Sequence, residues 1–197
     1  MIPKKGFRVA TFDIETTSLD AVGAGVILCA VIKPQDGESV VLRYDELKQN
    51  PGNDFRLVRQ LLSELSQYEM LVGHNIERFD WNFIRTRAMI HGLPITFSPL
   101  AYDTLKAFKR TGFLTVPNMI GKPTGRLDHV VDMFGIPQMK TALYPREHWK
   151  TVWGNKAQRK EAMDKLVEHC VYDVHMNEQV FYSLYPYDKS CTLRRLK

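Results

Sequence analysis

Five residues of this sequence have types and spacings that could hold hard cations and move a proton. Asp13 and Glu15 stand two residues apart in the apolar, β-branched stretch FRVATFDIE, residues 7–15. Residues i and i+2 of a strand share a face, so both carboxylates point the same way. Like charges so placed repel unless a cation lies between them, and Mg²⁺ or Mn²⁺ prefers such oxygen ligands. The competing reading of the pair is a solvated strand end, where acids are tolerated. Asp80 lies in GHNIERFDWNFI, residues 73–84. On a helical wheel it falls between the directions of Phe79/Phe83 and Ile84, toward a core; alternatively it is a first-turn aspartate favoured by the helix dipole. His169 and Asp173 sit one helical turn apart, at the edge of an apolar stripe of Met163, Leu166, Val167, Cys170, Val174 and Phe181. Tyr172 points away from that edge, so the wheel pairs Asp173 with the histidine. The plainer reading is a boundary His–Asp pair without chemistry.

The elements that must position these groups follow from patterning. Residues 7–14, 25–33 and 38–44 read as strands, the last two separated by Gln35-Asp36-Gly37, and together they predict an antiparallel meander. Asp54 is placed to cap a helix over 55–68, whose Leu57, Val58, Leu61, Leu62 and Leu65 keep helical spacing. Residues 70–73 read as a short buried strand and 78–91 as a helix, with Arg78, Arg85 and Arg87 facing solvent. Tyr102 and Asp103 open a helix over 104–111, a Gly/Pro-rich loop takes 112–125, and 127–134 is a short helix closed by Gly135. The last helix runs from about Ala157 to Leu184 and stops before Pro186. The order βββαβα followed by helices predicts the α/β class, a mixed sheet with packed helices in one domain over 1–197.

Composition narrows the setting. The 197 residues are 44% hydrophobic and 25% charged, which excludes a fibrous or extensively disordered chain. No apolar run approaches the roughly 20 residues that span a bilayer, and no secretory leader is expected. Cys29, Cys170 and Cys191 form no CxxC pair, which argues against a zinc ribbon and for a reducing, intracellular (cytoplasmic) setting. The net charge of +5 is uneven: residues 1–103 carry −2 and residues 104–197 carry +7. A basic second half is compatible with an anionic partner such as nucleic acid.

Taken together, these segments resemble the DnaQ-like, or DEDD, exonuclease superfamily of the ribonuclease H-like fold. FDIETT, residues 12–17, is similar to its D-x-E-T motif; HNIERFDWNFI, residues 74–84, to its second motif; and HCVYDV, residues 169–174, to its third. YDTL, residues 102–105, and RLDHVVDMFGI, residues 126–136, look like the intervening segments, so the resemblance spans about residues 7–184. It implies a ribonuclease H-like mixed β-sheet flanked by α-helices. It also implies two divalent cations, Mg²⁺ or Mn²⁺, held by Asp13, Glu15, Asp80 and Asp173. Paired cations suit phosphodiester hydrolysis, because they activate a water and stabilise the leaving oxygen. The third motif departs from both known branches. The histidine of one branch would fall at Glu168, and the tyrosine of the other at His169. The spacing is closest to the tyrosine branch and to the exonuclease domains of family B polymerases. His169 is therefore expected to orient or deprotonate the water, a role that suits a histidine's usual pKa.

The substrate side follows from the same match. Thr16, Thr17 and Leu19 after the first motif, with Asn75 and Phe79 from the second, are the expected lining of a terminal-nucleotide pocket; for Phe79, core packing is the alternative. Residues 145–160 carry five Lys+Arg against one Glu, with Trp149 and Trp153 four apart. Trp149, Lys150, Trp153 and Lys156 would suit a single-strand path, by stacking and phosphate attraction. Their alternative is two tryptophans packed under a basic surface. The expectation is a 3′→5′ exonuclease on single-stranded DNA 3′ ends, acting alone or with a replication or repair partner. The alternatives are an exoribonuclease and a non-catalytic nucleic-acid-binding or adaptor protein on the same fold.

Overall fold

The computed structural model describes residues 7–47, 50–111, 125–138, 145–188 and 193–197. Its centre is a mixed six-stranded sheet in the order β3-β2-β1-β4-β5-β6. Strand β1 (Val9–Thr16) pairs antiparallel with β2 (Ile27–Pro34), and β2 with β3 (Val40–Arg43), giving the expected meander. On the other side β1 runs parallel to β4 (Met70–Gly73), and β4 parallel to β5 (Leu100–Asp103). The short β6 (Arg194–Arg195) closes that edge antiparallel. Ala10, Phe12 and Ile14 of β1 are buried, as period-2 alternation requires, while Asp13 and Glu15 take the opposite face and are only partly buried. The β1–β2 register slips between Glu15 and Thr16, where Leu28 is the extra residue. Such a bulge bends the strand end and re-aims its side chains.

Among the described residues, six α-helices flank the sheet: α1 (Phe55–Leu65), α2 (Asp80–Ile90), α3 (Thr104–Arg110), α4 (Leu127–Met133), α5 (Pro145–Trp153) and α6 (Lys156–Leu184). The 29-residue α6 starts at a reciprocal capping box between Asn155 and Gln158, which satisfies two orphan amides. It then lays Met163, Leu166, Cys170, Val174 and Phe181 inward. One apolar core joins α1, α2 and the first half of α6 to the meander. A second joins α3, α4 and the end of α6 to β4 and β5.

Several expectations need correction. Residues 100–103 form β5, where the reading placed the approach to a helix; Asp103 does cap α3, accepting from the Lys106 amide. Residues 145–153 are helical. Helix α2 starts at Asp80 rather than Arg78. Asp54 precedes α1, but its side chain does not cap it. Instead it is fully buried, accepts from the Ile27 amide at 2.8 Å, and pairs with Arg87 at 2.7 Å and His91 at 2.6 Å. Arg87 is therefore a buried cation, not a solvent contact; it also donates to the Ala21 carbonyl at 3.2 Å. Removing one partner of such a pair costs about 3–5 kcal/mol. The Gly/Pro-rich loop of 112–125 lies outside the described residues except for Gly125.

Candidate active site

The acidic residues gather at the carboxyl ends of the parallel strands, the usual place for a site in an open α/β sheet. Asp13 and Glu15 come from the end of β1. Asp80 opens α2, one loop after β4. Asp173 comes from the middle of α6, which crosses the face of β1 that carries Asp13. An open cleft of about 400 Å³ lies here, with Asp13, Glu15 and Asp173 in its wall.

The carboxylates feel one another. Burial first, and then the charges of Asp80, Glu15 and Asp173, push Asp13 well above the usual carboxylate range; the Cys170 thiol, 3.4 Å from its Oδ2, works the other way. Burial pushes Asp80 up to about 7, with Asp103 and Glu15 adding to the rise and the Asp80 and Ile14 amides opposing it. Burial likewise raises Asp173 to about 6, against the pull of His169. Asp80 is 2% exposed and does not itself line the cleft, though its neighbour Phe79 does. Its Oδ1 finds no hydrogen-bond partner among the described residues. An orphaned carboxylate oxygen beside other acids is costly, and its chemistry fits a hard divalent cation. Even so, no three His, Cys, Asp or Glu side chains among the described residues form a closed donor set around one point.

The loop before Asp80 is built to deliver it. Gly73 has no room for a side chain, since a Cβ there would lie 2.7 Å from Ile76 Cβ. Asn75 adopts a left-handed backbone, φ 65°, and its amide donates to Asp103 Oδ1 at 3.2 Å. Burial lowers the His74 pKa, keeping the ring neutral. Its Nε2–H donates to the Gly125 carbonyl at 2.8 Å, and its Nδ1 lies 3.0 Å from Thr104 Oγ1. Asp103 and His74 thus hold the second motif in place; neither stood out in the sequence as a site residue.

His169 Nε2 lies 3.6 Å from Asp173 Oδ2 and 3.9 Å from Glu15 Oε1. Tyr172 turns away and donates to Glu168 at 3.3 Å. A second histidine, missed by the sequence reading, faces the same acid: His148 of α5 is 3.1 Å from Glu15 Oε2 and lines the cleft. Only its neighbourhood in a Trp- and Lys-rich segment hinted at it.

The expected pocket residues divide. Thr16, Thr17, Leu19 and Phe79 line the cleft. The Thr16 and Thr17 hydroxyls donate to the Ser18 and Ala24 carbonyls and so shape the rim. Leu19 is 86% exposed at the mouth. Phe79 meets both of its readings, packing against the core and Phe83 while also lining the cleft. Trp149 lines the cleft with them, whereas Asn75, Lys150 and Trp153 do not. Lys156 lines a separate hollow with Arg43 and Arg159.

Comparison with known proteins places the family and the fold. The RNase H superfamily model matches residues 10–185. A DNA polymerase III of PolC type from Pediococcus pentosaceus is 27% identical over 137 residues, 54% of this chain and 9% of that protein. The family B DNA polymerase from the archaeon Pyrobaculum calidifontis shares the fold, with a TM-score of 0.65 and 19% identity over 91% of this chain. That match takes in 25% of the polymerase, so the chain spans only a small part of both relatives.

Proposed function

Since the chain belongs to the RNase H superfamily, we propose that its cleft is the active site of a divalent-cation-dependent 3′→5′ exonuclease acting on single-stranded nucleic acid ends, DNA in the first place. The observation that carries this reading is the gathering of Asp13, Glu15, Asp80 and Asp173 from three elements at one cleft, with the buried Asp80 Oδ1 left without a hydrogen-bond partner among the described residues. A purely structural role gives no reason to bury acids beside one another, where burial first and neighbouring charge second disfavour the ionised forms of Asp13, Asp80 and Asp173. The likenesses to two polymerases support a nucleic acid substrate.

Asp13, Glu15, Asp80 and Asp173 would hold the cations. Bound there, two divalent ions would lower the pKa of an attacking water and neutralise charge on the leaving oxygen. The chain's own residues do the rest. His169 takes the proton of the water, whose oxygen bonds to phosphorus as the bond to the preceding nucleotide's 3′-oxygen breaks; a nucleoside 5′-monophosphate leaves. Leu19 and Phe79, at the mouth and wall, exclude water from the terminal base. Among the described residues no helix is long and apolar enough to cross a membrane.

The test is incubation of 5′-labelled single-stranded DNA and RNA with the chain in Mg²⁺, Mn²⁺ or EDTA. Shortening in either metal and none in EDTA is expected. Equal shortening in EDTA, or intact strands under every condition, would overturn the reading.

A further inference from the structure

Helix α5 is turned in an unusual sense. It buries Thr151 and Val152, at 0% and 2% exposure, and leaves its two largest side chains outside: Trp149 and Trp153 are 47% and 50% exposed. The two rings are one helical turn apart and stacked on each other, with centroids 4.6 Å apart and planes 30° from parallel. Two large aromatic rings left half-exposed side by side suit a contact surface. Trp149 also lines the cleft beside Asp13, Glu15 and Asp173, so the stack begins at the acids and runs away from them along α5.

We propose that Trp149 and Trp153 are a base-stacking platform for a single strand, holding unpaired bases upstream of the terminal nucleotide; this rests on the reading of the cleft as an exonuclease site. The chemistry calls for such a platform. The carboxylates and the cations they would hold serve the scissile phosphate, so grip on the rest of the strand has to come from outside them. Bases stack on indole faces irrespective of sequence, and binding remote from the scissile bond helps to seat it. The flank has the right sign: residues 145–160 carry five Lys+Arg against one Glu, and Lys156 at the start of α6 is exposed. The occupant is single-stranded, because both faces of a base within a duplex are already covered by its neighbours.

The chain contains its own reporter. The third tryptophan, Trp81, is 2% exposed, with its indole N–H donating to the Lys197 carbonyl at 3.1 Å. Any change in emission on adding a strand therefore belongs to Trp149 and Trp153. An Asp13→Asn chain, which should not cleave, is titrated in Mg²⁺ with oligothymidylate. Strong quenching by the single strand and none by a blunt duplex is expected. In this background Trp149→Leu should raise the Kd roughly 5- to 150-fold, the ratio that corresponds to about 1–3 kcal/mol per stacked base. An abasic nucleotide scanned through the positions next to the 3′ end should produce a similar loss at one of them. That loss should shrink to under about twofold once Trp149 is replaced, because the two changes remove one contact. The abasic arm leaves the protein unaltered, so it stands even if a tryptophan variant folds poorly. No quenching at saturation, or equal abasic penalties with and without Trp149, overturns the platform. Quenching without hydrolysis by the unaltered chain sinks the exonuclease reading and leaves the platform standing. Hydrolysis whose KM is indifferent to Trp149→Leu sinks the platform alone.

Discussion

Replacing Asp80 by asparagine tests the acidic cluster through stability, without substrate. In the metal-free protein the Asp80 carboxyl titrates near 7, against 3.8 for the unperturbed group. A raised folded pKa means the fold holds its proton more tightly than the unfolded chain does. The contribution to stability is fully present below the unfolded value and is lost as pH rises through the folded one. At pH 8, where the buried carboxyl is ionised, this costs about 4 kcal/mol, and at pH 5, where the fold keeps it protonated while the unfolded chain would not, about 2 kcal/mol. Asparagine carries no charge at either pH. Any penalty for its own unpaired amide is common to both conditions and cancels. The advantage of Asp80→Asn in EDTA should thus grow by about 2–3 kcal/mol from pH 5 to pH 8. For a chain of this size that is roughly 5–10 °C in the difference of Tm values. Thermal unfolding of both proteins at both pH values is the assay. Adding millimolar Mg²⁺ or Mn²⁺ at pH 8 should then raise the Tm of the unaltered chain and move the variant much less. A Tm difference that ignores pH would refute the strained carboxyl, and equal stabilisation by metal would remove Asp80 from the donor set.

Other expectations concern the two histidines and the buried ion pair. His169→Ala should slow single-turnover cleavage by about 10²-fold or more, as loss of a positioned proton acceptor does. Tyr172→Phe should be nearly silent, because its hydroxyl faces Glu168 at 3.3 Å; a slow Tyr172→Phe beside a fast His169→Ala reverses the assignment. His148→Ala should raise the Mn²⁺ concentration needed for half-maximal activity by roughly 10-fold or more, as loss of a partner to a ligand does, and His148→Gln should restore much of it. An unchanged metal requirement would mean that the 3.1 Å contact with Glu15 does not position that ligand. Arg87→Ala leaves the buried Asp54 with only His91 and the Ile27 amide and should lower stability by about 3–5 kcal/mol, read by urea unfolding; a loss below about 1 kcal/mol would show that the pair contributes little.

The parts legible in the sequence were those written in periodicity. Alternation along residues 9–16 gave away both a buried face and the shared direction of Asp13 and Glu15. The helical period of α6 separated His169 from Tyr172, and the contacts of the two follow that division. Strand β5 was missed because Leu100–Asp103 is too short to alternate and ends in the cap of the next helix. Helix α5 was read only as a basic, aromatic segment, since its inward side carries His148 and Thr151 beside Val152 and so shows no apolar stripe. The Asp54–Arg87–His91 cluster could not be read from local pattern at all. Its partners lie 33 and 37 residues apart, and a charge on a helix looks solvated until the neighbouring helix is in place. That cluster matters to the site, for Arg87 also holds the Ala21 carbonyl in the loop that carries Leu19 to the cleft mouth.

The most direct test of the central claim is the polarity and product of digestion. Single-stranded DNA carrying a 5′ label, with either a free 3′ end or a 3′ end blocked by an inverted nucleotide, is incubated with the chain in Mg²⁺, and the products are resolved at single-nucleotide resolution and weighed. The account predicts a ladder shortening one nucleotide at a time from the free 3′ end, release of nucleoside 5′-monophosphates, and protection of the blocked strand. Early release of the 5′ label as a mononucleotide, or internal fragments from the blocked strand, would contradict it.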